Sequence, residues 1–308
     1  MSRLVNGVLL INFGAPEKLD NVESFVSSVL NGRKLPPPAL EKIKERYRLI
    51  GGGSPLPGIT RRQAEFLEQE LNREKDCFRV FAGMLHSPPY IPDVIRQMVE
   101  EKISKIFVIS LAPFYSTVST ERYYAVVKEA GKQNNIMELV HYTDSWHAHP
   151  LFLAAQEQRI KSELAKMGQQ EKGCLVFTAH SLPAGDETVL YQEQYQEAVC
   201  KLALRFPGFK IRIAYQSQGL GKGTWLSPAV EDVLTDLVRE GEKEVLVVPI
   251  GFVSDHVETL YDLDIKLKKH ADSLNLKFRR CPALNDSTIF IKALASIVRS
   301  QLGDEMIS

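Results

Sequence analysis

The sequence predicts an α/β protein of two similar doubly wound domains, each with a four-stranded parallel sheet and with a ligand cleft between them. Short β-branched runs alternate with longer helical patterns over the whole 308 residues, the signature of strands returned by crossover helices. The strands read as continuously apolar, as in residues 175–179 (LVFTA) and 244–250 (EVLVVPI). Both of their faces must then be covered, which is the condition of a parallel sheet. Four such strands fall in each half of a chain long enough for two domains.

In the first half the strands are expected at Gly7–Asn12, Arg79–Met84, Lys105–Ile109 and Glu138–Tyr142. Helical periodicity covers Asn21–Leu30, Ala39–Leu49, Thr60–Asn72, Ile91–Glu101 and Thr120–Lys132. The second half repeats the plan, with strands at Cys174–Thr178, Ile211–Tyr215, Glu244–Pro249 and Lys277–Arg280. Its helices are expected at Leu151–Lys166, Tyr191–Arg205, Ala229–Glu240 and Val257–Lys269, and a last one at Ser287–Leu302. The seam is expected near His149-Pro150, where a proline punctuates the start of a long helix. That divides the chain into an N-terminal domain over 1–150 and a second domain over 151–284.

Lys plus Arg and Asp plus Glu balance at 38 each, so no net field favours nucleic acid or an anionic membrane. An anionic ligand would have to be held by locally placed cations. The apolar stretch at the start is broken by Asn6 and Gly7, unlike a secretory signal, and no apolar run is long enough to span a bilayer. The four cysteines (Cys77, Cys174, Cys200, Cys281) form no CxxC pair, which argues against zinc or iron–sulfur ligation and suits a reducing cytoplasm.

In doubly wound sheets, ligands bind beyond the carboxyl ends of the strands. The residues there include Asn12-Phe13-Gly14, His86-Ser87-Pro88, Ala179-His180-Ser181 and Gln216-Ser217, and the run from Gly251 to Glu258. Any one could be punctuation, and an isolated histidine after a strand is more often structural. The combination of His180 with Glu258 and a downstream carboxylate carries the sharper reading. Glu258, Asp262 and Lys266 are spaced four apart and share one face of the expected helix. On a regular helix His256 points away from Glu258, which makes it a supporting residue. His141, His147 and His149 have no register that converges them and no acidic or thiol neighbour directly beside them, so they read as a surface loop. The glycine-rich runs at 50–56 and 219–224 match neither the Walker spacing nor a dinucleotide fingerprint.

Taken together these segments resemble the ferrochelatases over almost the whole chain. The resemblance rests on Leu10-Ile11-Asn12-Phe13-Gly14-Ala15-Pro16, residues 47–56 (YRLIGGGSPL), Ala179-His180-Ser181-Leu182-Pro183, Tyr215-Gln216-Ser217 and residues 249–264 (PIGFVSDHVETLYDLD), in the family's order. It implies a porphyrin cleft between two α/β domains, with the final segment, 285–308, returning to the first. It also implies catalysis by His180 and Glu258, metal contact by His180, Glu258 and Asp262, and a widened π turn in the helix that follows Glu258. Matching positions suggest propionate contacts by Arg46, Tyr47, Ser54 and Tyr123, with Arg33 a further candidate. Phe13 and Trp225 are candidates for the apolar walls that bend the macrocycle, with His86, Ser181 and His256 supporting the site. The implied reaction inserts Fe²⁺ into coproporphyrin III or protoporphyrin IX, in haem biosynthesis, with iron as substrate and no resident cofactor. A monomer meets every requirement of this reading.

Metal insertion must expel both N–H protons of the porphyrin, and an imidazole with an ordinary pKa near 6.5 is expected to be neutral enough to accept one. Imidazole and carboxylate suit a transiently held Fe²⁺. The chain departs from some family members in having Phe13 in place of a tyrosine, and Leu30 and Asn31 in place of arginines. Lys266 stands where a carboxylate would be, and there is neither a C-terminal cysteine cluster for [2Fe–2S] nor a C-terminal apolar helix. A cobalt or sirohydrochlorin chelatase, a non-catalytic tetrapyrrole carrier and a sugar or nucleotide binder are the alternative readings.

Overall fold

A computed structural model describes residues 4–73, 77–143, 145–168, 172–219 and 223–304. The chain divides into two compact units, one formed by the chain up to Trp146 together with the segment from Asn285 onward, the other by His147–Leu284. Trp146 stays with the first unit because its indole N–H donates to the Ser110 carbonyl (2.9 Å) and its ring packs on Phe290 of the last helix.

The first unit holds strands β1 (Asn6–Asn12), β2 (Phe78–Met84), β3 (Lys105–Ser110) and β4 (Val140–Tyr142), all parallel, in the order β2-β1-β3-β4. Its helices are α1 (Val22–Val29), α2 (Pro37–Leu49), α3 (Leu56–Leu71), α4 (Ile91–Glu100), α5 (Thr120–Gln133) and the last, α11 (Thr288–Asp304). Leu9 and Ile11 of β1 and Ile106 and Val108 of β3 bury against Ile91, Val94, Ile95 and Met98 of α4 and Val127 of α5. Alternate residues along a strand point to opposite faces, so Val8 and Leu10 turn to the other side and are also fully buried. Both faces are therefore apolar, as the sequence predicts for a parallel sheet. Helix α3 packs on β1 and β2 and against α11.

The second unit repeats the order as β6-β5-β7-β8, with β5 (Gly173–His180), β6 (Phe209–Gln216), β7 (Glu244–Val248) and β8 (Lys277–Arg280). Its helices are α6 (Pro150–Met167), α7 (Val189–Ala203), α8 (Val230–Arg239), the single turn α9 (Val257–Leu260), a π segment (Asp262–Leu267) and α10 (Lys268–Ser273). Cys174 and Val176 of β5 and Val245 and Val247 of β7 pack with Val233, Leu234 and Leu237 of α8. Leu263 and Leu267 of the π segment join the same cluster.

Two local differences from the sequence reading have simple causes. Helix α3 starts at Leu56 rather than Thr60, because Pro57 is tolerated in a first turn and Ser54 Oγ accepts the Leu56 N–H (3.3 Å). Strand β4 is only three residues long, because Met137–Leu139 coils as a 3₁₀ turn. The helix expected at Val257–Lys269 carries the π turn that the resemblance implies: the Lys266 N–H reaches back five residues to the Tyr261 carbonyl (2.9 Å). Among the described residues no helix is long and apolar enough to cross a membrane.

Candidate active site

In the second unit the sheet order reverses between β5 and β7, so the crevice for a ligand opens past the ends of those two strands. His180 is the last residue of β5, and Glu258 lies in α9 beyond β7. His180 Nε2 is 3.4 Å from Glu258 Oε1, and each side chain keeps about a third of its surface exposed (31% and 29%). His180 Nδ1 lies 2.6 Å from the Ser181 carbonyl. A carbonyl can only accept, so Nδ1 carries the hydrogen and Nε2 is the atom offered to Glu258.

Ser181 is buried, its N–H donating to the Gln216 carbonyl (2.7 Å) and its hydroxyl to the Leu226 carbonyl (3.0 Å). The residue that orients the imidazole is thus itself fixed by β6 and by the chain next to Trp225. Tyr191 adds a hydroxyl hydrogen bond to the His180 carbonyl (3.1 Å).

His256 does not point away from Glu258, contrary to the regular-helix expectation. It sits just before α9 with extended backbone (φ −159°), off the helix, and its Nε2 comes within 3.5 Å of Glu258 Oε2. Its Nδ1 donates to the Ser254 carbonyl (2.9 Å) and its ring packs on Phe252 at 4.6 Å. Thr259 closes the turn, accepting the His256 N–H (3.0 Å) and donating to Asp255 Oδ1 (3.1 Å). Glu258 is therefore flanked by an imidazole on each oxygen.

Electrostatics follow from that arrangement. Burial alone would lower the His180 pKa, but Glu258, the Ser181 carbonyl and Asp262 outweigh it and raise it to about 9. Burial would likewise raise the Glu258 carboxyl, but His180 and His256 hold it well below the usual carboxylate range. The pair is imidazolium and carboxylate at neutral pH, which corrects the expectation of a neutral His180 in the resting site.

The expected ligand set of His180, Glu258 and Asp262 is not assembled. Among the described residues no three His, Cys, Asp or Glu side chains converge as a metal site. Asp262 Oδ2 instead accepts the Ser217 hydroxyl (2.6 Å), offered from the end of β6 by a residue with φ +59°. Lys266 does not share the face of Glu258; the π turn carries it to Glu231 of α8, at 2.9 Å. Asp264 and Asp255 both bind Arg280 of β8, whose side chain is 8% exposed.

Trp225 is half-buried and folded over Gly219: a Cβ on that glycine would lie 2.5 Å from the indole. The chain around it pairs with the segment after His180 through a Pro183–Trp225 bridge. Residues 220–222 of the expected glycine-rich run lie outside the described residues.

In the first unit the loops after β1 and β2 are tied together by hydrogen bonds from the Leu85 and His86 N–H groups to the Asn12 and Phe13 carbonyls (3.0 Å each). This brings Phe13, half-buried, edge-on to His86 at 4.6 Å. His86 faces Ser28 Oγ through Nδ1 (3.0 Å), while burial, aided by the Arg122 charge, lowers its pKa to about 4. Ser54 is buried, its N–H donating to the Pro16 carbonyl (2.8 Å). Tyr47 and Tyr123 are 3% and 4% exposed, so their rings serve the core and only a hydroxyl edge could meet a ligand. Arg33 and Arg46 are exposed.

His147, expected without an acidic partner, pairs with Glu197 of α7 (2.8 Å), and His141 stacks on Phe107. Cys174 and Cys281 are buried, their thiols pushed up to about 12 by burial, and all four cysteines are free.

The family model described as Ferrochelatase matches residues 5–302. A coproporphyrin III ferrochelatase of Anoxybacillus flavithermus is 37% identical over 315 residues, covering 99% of each chain. A ferrochelatase of Herpetosiphon aurantiacus is 36% identical over 303 residues (96% of this chain, 98% of the relative). A coproporphyrin III ferrochelatase of Bacillus subtilis is 34% identical over 313 (98% and 100%). Among solved structures, SirB from Bacillus subtilis with Fe³⁺ superposes with a TM-score of 0.62 at 11% identity, covering 96% of this chain and 95% of that one. CbiX, the terminal enzyme of sirohaem biosynthesis in denitrifying bacteria, gives 0.58 at 12% (96% and 98%), and both likenesses concern the fold alone. With a family match over nearly its whole length and relatives above 30% identity, the chain belongs to the ferrochelatase family and is a metal chelatase.

Proposed function

We propose that the chain inserts Fe²⁺ into a porphyrin with release of two protons, as a step of haem biosynthesis. The observation that carries this reading is the His180–Glu258 pair, in which Nε2 faces a carboxylate at 3.4 Å and Nδ1 is locked to a carbonyl. A ferrous ion and a proton compete for that pair. Iron arriving at Nε2 and Glu258 displaces the proton there, since metal ligands must be deprotonated. When iron moves on to the macrocycle, the pair is returned to the state whose proton affinity corresponds to a pKa of about 9. It can then take up one pyrrole proton as the metal leaves, while the second passes by way of the Asp262 carboxylate to water, so departure of the metal creates the base.

The two-donor pair holds iron loosely, which suits a substrate that must be released. Asp262, hydrogen-bonded to Ser217, is next along the π segment and serves as a relay for metal or protons. Phe13 and Trp225 supply apolar faces for the macrocycle, and Arg33, Arg46, Ser54, Tyr47 and Tyr123 supply the propionate contacts. No resident cofactor or iron–sulfur cluster is required. The four free cysteines suit a reducing cytoplasm as the place of the reaction.

The test is anaerobic insertion of Fe²⁺, with Zn²⁺ as a parallel probe, into coproporphyrin III and protoporphyrin IX, followed by the porphyrin absorption bands. Multiple turnovers by the wild type, lost by about 10²–10⁴-fold in His180→Ala, are expected. The porphyrin metallated faster identifies the substrate. Stoichiometric binding without turnover would replace this reading with a tetrapyrrole carrier.

A further inference from the structure

We propose that Gln216, at the end of β6, is a positioning residue that sets the separation of His180 and Glu258; the inference rests on the chelatase reading above. The β5–β7 ladder ends at Phe177 and Val248, short of both functional residues. The β5–β6 ladder runs on to pair His180 with Gln216. Beyond Phe177, therefore, it is β6 that follows β5 to its end, while Glu258 stands ten residues past the end of β7.

Gln216 closes that gap with both its backbone and its side chain. Its carbonyl accepts the Ser181 N–H (2.7 Å), holding the residue that orients the imidazole. Its side-chain Oε1 accepts the Thr178 hydroxyl (2.6 Å), two residues before His180. Its Nε2 donates to the Glu258 carbonyl (2.9 Å) and leans towards Ser217 Oγ (3.4 Å), whose hydroxyl goes on to Asp262. The direction of the amide is fixed by chemistry. The Glu258 carbonyl can only accept, so the NH₂ must face it, and the hydroxyl of Thr178 then donates to the remaining oxygen. Gln216 and Thr178 are 2% and 0% exposed, so water offers no substitute partner. Outer partners of this kind orient ligands, and their loss typically costs about 10–100-fold in metal affinity or activity.

The experiment compares Gln216→Met, of similar size but without donor or acceptor, with Thr178→Val and Thr178→Ser in the full chain. Steady-state insertion of Zn²⁺ gives kcat and KM for the metal, and fluorescence quenching gives porphyrin affinity. For Gln216→Met we expect kcat/KM for Zn²⁺ to fall about 10–100-fold with porphyrin affinity unmoved. Thr178→Val should lose activity in the same direction, and Thr178→Ser, which keeps the hydroxyl, should lose less. Folded variants with wild-type kinetics for Zn²⁺, or an equal loss in porphyrin affinity, would reduce Gln216 to a structural strand residue. Should Gln216→Met fail to fold, the Thr178 pair decides on the same criteria. Failure of the wild type to insert metal would overturn the chelatase reading instead.

Discussion

His180 Nε2 stands 3.4 Å from Glu258 Oε1 while Nδ1 of the same ring is held by the Ser181 carbonyl. One nitrogen is permanently occupied by a structural hydrogen bond, so every exchange at this site happens at the other. A proton or a metal ion can sit there, and Glu258 favours both. Much of the behaviour of the site follows from that single competition.

The pair makes stability depend on pH with a defined sign. The His180 pKa is raised to about 9, so its contribution to stability is complete below its unfolded value of about 6.5 and fades as pH rises through about 9. Glu258 is depressed, so its contribution is present above about 4.5 and lost as pH falls towards its folded value. The stability gap between the wild type and Glu258→Gln should be largest between about pH 4.5 and 6.5 and shrink towards pH 9. Urea denaturation at stepped pH measures it. A gap that stays constant from neutrality to pH 10 would mean that the ion pair contributes nothing.

Metal binding should show the same competition in reverse. Zn²⁺ binding to the porphyrin-free chain should tighten by about tenfold per pH unit up to about pH 9, because one proton leaves Nε2 for each ion bound. Calorimetric titration in buffers of different ionisation enthalpy counts that proton. Binding without proton release would place the metal elsewhere.

The two four-stranded parallel sheets and the strand-end positions of His180 and Glu258 can be read from the chain because they depend on local signals: apolar strands, punctuation after them, and motifs lying at strand ends. What cannot be read depends on contacts between distant residues. A neutral His180 follows from its own chemistry, and it is chiefly the approach of a carboxylate 78 positions away, with the Ser181 carbonyl and Asp262 beside it, that reverses this. His256 is misplaced by its two-residue spacing from Glu258, which reads as helical, whereas the backbone at 256 is extended. The spacing of Asp262 from Glu258 points to the metal, but the π turn and the Ser217 hydroxyl redirect its carboxylate. Thr178 gives no functional signal, since a lone polar residue on an apolar strand reads as incidental, and Gln216 is marked only by its place at a strand end, with its bond to the Glu258 carbonyl not legible.

Arg280 should prove costly to remove. It is nearly buried and binds Asp264 through two nitrogens (2.7 and 2.8 Å) and Asp255 through a third contact (2.7 Å), on either side of Glu258. Arg280→Met leaves the buried Asp255 and the more open Asp264 (35% exposed) without their cation, which should destabilise the chain by about 1–3 kcal/mol in urea titration. Adding Asp264→Asn to that variant should recover part of the loss, because one of the stranded charges is gone. A double variant no more stable than the single one would show that packing of the arginine stem, rather than charge, is responsible.

The glycines of the loop between α2 and α3 should separate by mechanism. A Cβ on Gly53 would lie 2.0 Å from the Glu17 carbonyl oxygen, a backbone atom that cannot swing aside. Gly53→Ala must therefore push this loop away from the one that follows β1, breaking the Ser54–Pro16 hydrogen bond and disturbing the segment that carries Phe13. Overpacking of that kind costs about 1–3 kcal/mol, and porphyrin affinity should fall with it. Gly52 has φ +91°, and a Cβ there would meet nothing within 4 Å, so Gly52→Ala suffers only the left-handed backbone penalty, about 1–2 kcal/mol. Thermal melts should thus show comparable losses for the two variants, while fluorescence quenching by porphyrin separates them. Equal porphyrin affinity in both would mean that the contact between these loops supports the fold without shaping the binding surface.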